Sequence, residues 1–257
     1  MKLGLVTYQI AAGWDVPTII KNCTATKIEG VELRTTHAHK VEVGLSREER
    51  AAVKKRFEDS PVRLVSLGST FEFHSPDPAV LRKNIEGTKE YIVLAHDVGA
   101  EAVKVRPNDL PKGVEPERTL DQIGRALREC GERGRDFGIK VRMEVHGACA
   151  PIDLVRRILD AADHPLVEIT WNSNVSDLKG GTLAENLAKV RSKIGMIHMR
   201  DLYAEDYPWR ELIVRLRDSG FTGYACAEIG ESSDPLRVLR YFRALFLAHL
   251  ESPPMPR

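Results

Sequence analysis

The sequence has few of the features that mark membrane proteins, disulfide-rich secreted proteins or nucleic-acid-binding proteins. No apolar run reaches the length of a membrane-spanning helix. Only four cysteines occur, without a CxxC pair, so no disulfide framework or thiolate zinc site is indicated. The formal net charge is only +1, which gives no electrostatic reason to expect nucleic acid or an anionic membrane as a partner. We therefore expect a cytoplasmic protein with reduced thiols.

A Gly-rich phosphate loop is also missing: the first strand runs into TYQIAAGWD, whereas open doubly wound sheets usually carry GxGxxG there. Eight strand-like stretches instead alternate with amphipathic helical stretches, in units that average about 32 residues, as a βα repeat needs. The strands are LGLVTY (3–8), GVELR (30–34), VRLVSLG (62–68), EAVKVR (101–106), KVRMEV (140–145), VEITWN (167–172), GMIHMR (195–200) and GYACAEI (223–229). No linker divides the chain. We predict the α/β class and a single (β/α)8 TIM barrel domain over residues 1–257, with a loose Pro-rich tail at 252–257.

Side-chain alternation along the strands predicts an unusually polar barrel interior. Successive residues point to opposite sides, so one parity faces the helices and the other faces the interior. In the fifth to eighth strands the first parity is apolar, and the inward parity carries the following residues: Arg142, Glu144, His146, Glu168, Thr170, Asn172, His198, Arg200, Cys226 and Glu228. The second strand adds Glu32 and Arg34, and the fourth adds Lys104 and Arg106. Unpaired buried charges are costly, so these groups must pair with each other, a metal or a ligand.

Depth along the strand separates structural from functional candidates. We interpret Arg142 and Glu168, which lie deeper, as a structural ion pair. Barrel enzymes place their chemistry at the strand C-termini, where two carboxylates, an imidazole and an amide converge from four consecutive strands. Such an oxygen-rich site suits one divalent ion of Mn, Mg, Co or Zn. The candidate metal ligands are Glu144, Asn172, His198 and Glu228.

Four motifs stand at these strand ends: GVELR with HAH after the second strand, MEVHG at Glu144, IHMRD at His198 and AEIG at Glu228. With them the chain resembles the xylose isomerase-like TIM barrel superfamily, the sugar phosphate isomerase/epimerase family, over essentially its whole length. The resemblance implies that Glu144, Asn172, His198 and Glu228 hold one divalent metal. The family usually has an Asp in a D-x-x-H motif where this chain has Asn172-Ser-Asn-Val175. Because an amide oxygen coordinates without adding charge, we expect weaker metal affinity or a different ion.

The resemblance further implies a metal-dependent isomerase or epimerase of a sugar or sugar-like hydroxycarbonyl compound. In that family the metal stabilises an enediolate and two carboxylates move the proton, which by position makes Glu144 and Glu228 the catalytic pair. Two alternatives stay open: a dehydratase or lyase acting on a polyol or keto acid, and a sugar-binding barrel catalytically impaired through Asn172. An endonuclease for abasic DNA is disfavoured, because it would need more metal ligands and a basic groove.

The remaining polar residues at the strand ends are candidate substrate contacts. Arg34, Lys104, Arg106 and Arg200 can neutralise a carboxylate or phosphate, or else pair with Glu32, Glu72 or Asp201. His146 and His39 can bind hydroxyl groups, although His39 can equally be a solvated loop residue. Cys149 and Cys226 are interpreted as packing residues. The expected partner is a small sugar-like molecule rather than nucleic acid or membrane, and a homodimer or higher homo-oligomer is left open.

Overall fold

Eight parallel strands close into a barrel in the computed structural model, which describes residues 1–255. Each strand pairs with the next one along the chain, and the last pairs with the first. The strands are β1 (Lys2–Val6), β2 (Gly30–Arg34), β3 (Arg63–Glu72), β4 (Ala102–Arg106), β5 (Lys140–Glu144), β6 (Val167–Trp171), β7 (Ile194–Met199) and β8 (Tyr224–Ala227). This confirms the predicted (β/α)8 TIM barrel.

One helix follows each strand, as the alternation of the sequence predicts. The helices are α1 (Val16–Thr26), α2 (Arg47–Glu58), α3 (Pro78–Val98), α4 (Pro116–Phe137), α5 (Ile152–Ala162), α6 (Leu183–Val190), α7 (Trp209–Asp218) and α8 (Pro235–Leu250). Ser46 and Glu49 begin α2 with a reciprocal capping box, and Gly99 ends α3 in the left-handed conformation (φ 78°). None of the helices described within residues 1–255 is both long and apolar enough to cross a membrane.

The apolar residues form two separate cores. The larger one lies between the strands and the helices and contains the outward parity of the strands, for example Val141, Ile169 and Ile197. The smaller one fills the barrel interior with the following side chains: Val6, Val65, Met196, Tyr224 and Cys226. Because Met196 precedes His198 by two residues on the same face of β7, this plug supports the polar groups at the strand ends from below.

A buried ion pair lies deeper in the interior, where the sequence predicts a structural one. The Nε of Arg142 is 3.1 Å from Oε2 of Glu168, and Lys140 also contacts Glu168. Gly195 provides the space for this carboxylate, since a Cβ there would come within 2.0 Å of Glu168 Oε2. The pair therefore depends on a glycine in β7 as well as on its own charges.

Two predictions extend to the last two residues of the chain, which the structure does not describe. The predicted single domain over residues 1–257 and the predicted loose tail at 252–257 both include residues 256 and 257, which lie outside the described residues. Both statements remain predictions.

Candidate metal centre and active site

A polar cavity of about 270 Å³ opens at the C-terminal ends of the strands. Most of the candidate site residues from the sequence line it, together with one tyrosine and one further asparagine. The lining residues are Tyr8, Arg34, Lys104, Arg106, Glu144, His146, Asn172, Asn174, Arg200 and Glu228. The strand ends thus bring together residues that lie up to 220 positions apart in the sequence.

Three of the four candidate metal ligands converge on one point. One ligand atom from each of Glu144, His198 and Glu228 lies within 4.8 Å of the others. The Nδ1 of His198 is 3.4 Å from Oε1 of Glu144 and 3.3 Å from Oε2 of Glu228. The imidazole is buried, and neither ring nitrogen makes a well-formed hydrogen bond within residues 1–255. A buried nitrogen without a hydrogen bond and two carboxylate oxygens beside it fit a divalent cation.

Asn172, the fourth candidate, follows the end of β6 and lines the same cavity as Glu144 and Glu228. The preceding residue, Trp171, is anchored, since its fully buried ring donates from Nε1 to the Tyr207 hydroxyl over 2.9 Å. An amide side chain on the cavity lining can offer a neutral oxygen ligand to a cation.

Glu32 approaches the other side of the histidine ring. Its side chain is completely buried, and its Oε1 lies 3.2 Å from Nε2 of His198. A carboxylate beside Nε2 favours a proton on that nitrogen and leaves the Nδ1 lone pair for a metal. Gly68 makes room for this carboxylate, because a Cβ there would come within 2.9 Å of Glu32 Oε1. Glu32 is thus a positioning residue for His198.

The surrounding charges govern the protonation of His198. Burial acts to lower the pKa of the imidazole, but the carboxylates of Glu228, Glu32 and Glu144 outweigh it and raise the pKa well above its usual value. A metal ion must therefore compete with a proton at this residue, and metal binding should weaken as the pH falls.

Lys104 holds Glu144 in its ionised form. The ammonium nitrogen donates to Oε2 of Glu144 over 2.7 Å, and both side chains are buried. Burial acts to raise the pKa of Glu144, but the charges of Lys104 and His198 outweigh it and lower the pKa. The second oxygen, Oε1, stays on the side of His198. Lys104 therefore orients Glu144 for an ion while adding a positive charge to the cavity.

A chain of hydrogen bonds fixes His146 on the cavity wall. Glu72 Oε1 accepts from Arg106 Nη2 at 2.7 Å and from Asn108 Nδ2 at 2.8 Å. The orientation of the Asn108 amide follows from this bond, so its Oδ1 accepts from Nδ1 of His146 at 2.7 Å. Nε2 is then the acceptor nitrogen of the neutral ring, suited to a substrate hydroxyl.

The guanidinium groups of Arg34 and Arg200 differ in their partners. Arg200 pairs with Asp206 at 2.8 Å and donates from Nε to the carbonyl oxygen of Ser173 at 3.2 Å. Arg34 lies over the ring of Tyr8, 5.3 Å from its centroid. Within the described part of the chain, the Arg34 guanidinium has no salt bridge and no hydrogen bond.

His39 is the candidate substrate residue that is not among those lining the cavity. Its Nδ1 accepts from the Val41 amide at 3.0 Å, so its Nε2 carries the proton and donates to the Arg34 carbonyl at 2.8 Å. Both nitrogens therefore stabilise the loop after β2. The predicted sugar contact of His39 stays a prediction that these contacts do not favour.

The two cysteines interpreted as packing residues are buried. Burial raises the pKa of both Cys149 and Cys226 to about 12, so neither thiol forms a thiolate near neutral pH.

Several site residues have no assigned role in the sequence analysis. Alternation along β1 and β4, extended two residues past each strand, places Tyr8 on the parity of Val6 and Asn108 on that of Arg106. No strand alternation in the sequence points to Asp177. It lies in the loop after β6, fully buried, and accepts from the Asn174 amide at 2.8 Å. Burial raises its pKa to about 7.

Fold and site define a class of protein: a TIM barrel with a carboxylate and histidine centre at the C-terminal ends of its strands. The model of the xylose isomerase-like TIM barrel family matches residues 20–245, and the chain belongs to this family. Among curated proteins no sequence match was found.

Solved structures share the whole fold at low sequence identity. An IolI protein with a bound zinc atom has a TM-score of 0.80 and 15% identity, covering 97% of this chain and 98% of its own. An L-ribulose 3-epimerase has a TM-score of 0.81 and 13% identity, with coverages of 97% and 94%. A probable 3-DHS dehydratase, AsbF from Bacillus anthracis, has a TM-score of 0.75 and 15% identity, with coverages of 96% and 99%. At these identities the likeness shows the shared fold.

Proposed function

We propose that the protein is a divalent-metal-dependent isomerase or epimerase of a sugar or sugar-like hydroxycarbonyl compound. The convergence of Glu144, His198 and Glu228 within 4.8 Å at the active end of the barrel carries this proposal. Asn172 completes the ligand set, and Mn, Mg, Co or Zn suits it. When bound, the ion polarises the substrate carbonyl and stabilises the negative charge that develops on deprotonation. A neighbouring structure of an L-ribulose 3-epimerase supports this class of reaction.

The two carboxylates move the proton. Glu228 is the more accessible, since 22% of its side chain is exposed against 5% for Glu144. Glu228 accepts the proton from the carbon beside the carbonyl, and the electron pair of the broken C–H bond moves toward the carbonyl oxygen. Glu144, whose Oε2 accepts from the Lys104 ammonium, is the second proton carrier. Delivery of a proton to the former carbonyl carbon, while the proton of the neighbouring hydroxyl moves to the former carbonyl oxygen, gives an isomer. Delivery of a proton to the other face of the original carbon gives an epimer.

The fixed His146 supports a second candidate, a dehydratase. A hydroxyl group next to the deprotonated carbon leaves as water only if an acid protonates it. His146 lines the cavity and is held by Asn108 over 2.7 Å, so its Nε2, when the ring carries both protons, is placed to supply that proton. A probable 3-DHS dehydratase has a similar fold. The products separate the two candidates, because only dehydration creates a new carbon–carbon double bond.

Exchange of substrate hydrogen with deuterated water tests the proposal whatever the product is, because it reports cleavage of the C–H bond itself. Wild-type enzyme with Mn²⁺ should exchange the C–H beside the carbonyl in at least one member of a panel of ketoses and keto acids. E228Q should lower this rate by about 10²–10⁴-fold while its circular dichroism is unchanged. The exposed Glu231 offers a matched control, and E231Q should exchange at the wild-type rate.

Metal analysis of the same preparations completes the test. We expect about one divalent ion per chain after dialysis against Mn²⁺, or clear stabilisation by the metal. Full exchange by E228Q would refute the catalytic assignment. Absence of any bound ion would instead favour a sugar-binding barrel without catalysis.

A further inference from the structure

Cationic side chains outnumber carboxylates among the residues that line the cavity. Its lining includes four cationic side chains but only two carboxylates: Arg34, Lys104, Arg106 and Arg200 against Glu144 and Glu228. A divalent ion at the proposed centre would increase the excess. The carboxylates of Glu72 and Asp206, which lie outside this lining, compensate Arg106 and Arg200. A neutral sugar would leave any cation without such a partner uncompensated, whereas an anionic substrate would balance it.

Among the residues that the structure describes, one of the four cations has no carboxylate partner. Three are paired at 2.7–2.8 Å, Lys104 with Glu144, Arg106 with Glu72 and Arg200 with Asp206. Arg34 has none within residues 1–255, and its guanidinium is held over the ring of Tyr8. Stacking on an aromatic face orients a guanidinium while leaving its N–H groups free for a planar or tetrahedral oxyanion.

The fold places this free cation on a different wall from the metal ligands. Arg34 ends β2 and Arg106 ends β4, whereas the candidate ligands come from β5 to β8. Between β2 and β4, Gly68 of β3 is the register partner of both Arg34 and Lys104 and contributes no side chain, and the buried Glu32 carboxylate occupies the space over it. We call the β2–β4 side of the cavity, with Arg34, Lys104 and Arg106, the cationic wall and the side of the candidate ligands the ligand wall.

We propose that the substrate carries an anionic oxygen group, a carboxylate or a phosphate, which binds Arg34 on the cationic wall. This inference rests on the proposed function, because it assumes that the hydroxycarbonyl end of the same molecule faces the ligand wall. Arg106, fixed by Glu72, lines the same wall and supports the anion. The substrate class is then a sugar acid or a sugar phosphate, and a neutral sugar is bound less tightly.

A matched series of ligands tests this inference by binding, measured by isothermal titration calorimetry in the presence of Mn²⁺. D-fructose, D-fructuronate and D-fructose 6-phosphate share one carbon skeleton and differ at C6 as hydroxymethyl, carboxylate and phosphate. Wild-type protein should bind at least one of the two anions tenfold or more tightly than fructose. R34M should reduce this preference to less than threefold without weakening the binding of fructose. R125M, at a highly exposed arginine, should bind all three ligands as the wild type does.

Whichever of the two anions binds more tightly shows whether the site prefers a carboxylate or a phosphate. Absence of any preference for an anion, whether all three ligands bind or none does, would overturn the inference, as would a preference that R34M leaves unchanged. Failure of the proposed function would give a different set of results. The Arg34-dependent preference for an anion would persist, but the protein would retain no metal and E228Q would exchange hydrogen at the same rate as the wild type.

Discussion

Asn172 is the residue at which this chain departs most clearly from its family. An amide replaces the carboxylate expected at the end of β6, and the buried Lys104 adds a positive charge beside Glu144. The proposed centre thus has two anionic ligands and a neighbouring cation. Both features should weaken the attraction for a divalent ion, while the geometry of Glu144, His198 and Glu228 is suited to holding one.

Substituting Asn172 by Asp should restore the missing ligand charge. We expect N172D to bind Mn²⁺ about tenfold more tightly than the wild type, equivalent to about 1.4 kcal/mol. Titration with Mn²⁺ followed by electron paramagnetic resonance measures the change. N174D is the matched control, because Asn174 lines the same cavity but is not among the candidate ligands, and its affinity should change less than threefold. Equal effects of the two variants would show that Asn172 does not touch the ion.

Strand parity accounts for most of what could be predicted at the level of residues. It places Glu144, Asn172 and Glu228 at one cavity because the inward face of a strand is fixed by its period of two. It does not supply the contacts of His39, whose ring serves the loop backbone, since loop conformation depends on tertiary packing. Which partner each arginine takes likewise depends on distances across the barrel.

At the level of elements, β3 is longer than its sequence pattern indicates. The predicted strand ends at Gly68, yet β3 continues to Glu72, which is the register partner of Arg106 after an irregularity in the pairing. This extension brings Glu72 to Arg106 and Asn108, and Asn108 in turn holds His146. A glycine normally weakens a strand pattern, so the sequence offers no reason to extend β3 past Gly68. The structure supplies the reason for this glycine, because a Cβ at position 68 would collide with the buried Glu32 carboxylate.

The segment between β6 and α6 contains a buried carboxyl group with consequences for stability. Asp177 is fully buried with Tyr207 and Asn174 as hydrogen-bond partners, and burial raises its pKa to about 7 from an ordinary value of 3.8. Between these two pH values the folded protein keeps a proton that the unfolded chain releases. The free energy of unfolding should therefore fall as the pH rises through this range, and the loss is complete above the folded pKa.

Replacing Asp177 by Asn removes the titration while keeping the shape of the side chain. D177N and wild type should have similar stability near pH 4, and D177N should be more stable above pH 7. The difference should grow by about 1.4 kcal/mol per pH unit between these limits. Urea unfolding at several pH values measures it. D136N, at an exposed aspartate, should run parallel to the wild type, and a parallel curve for D177N as well would contradict the buried-carboxyl interpretation.

For the whole molecule, the sequence predicts the closed barrel because eight apolar strands alternate with amphipathic helices at a regular spacing. The polar inward face at the strand ends follows from the same alternation, whereas the apolar plug beneath it is not predicted, because alternation fixes the face of a side chain and not its neighbours at each depth. The volume of the cavity and its excess of cations become visible only when all eight strand ends are assembled, because the groups that compensate each charge come from different units of the chain.

The central claim is that Glu144, Asn172, His198 and Glu228 surround one divalent ion. A crystal structure grown with Mn²⁺, with anomalous data collected at the manganese edge, tests it most directly. We predict one strong anomalous peak bonded to Glu144, to Nδ1 of His198 and to Glu228, with the side-chain oxygen of Asn172 as the fourth protein ligand. A saturated crystal without a peak between these side chains, or with manganese held only by other residues, would contradict it.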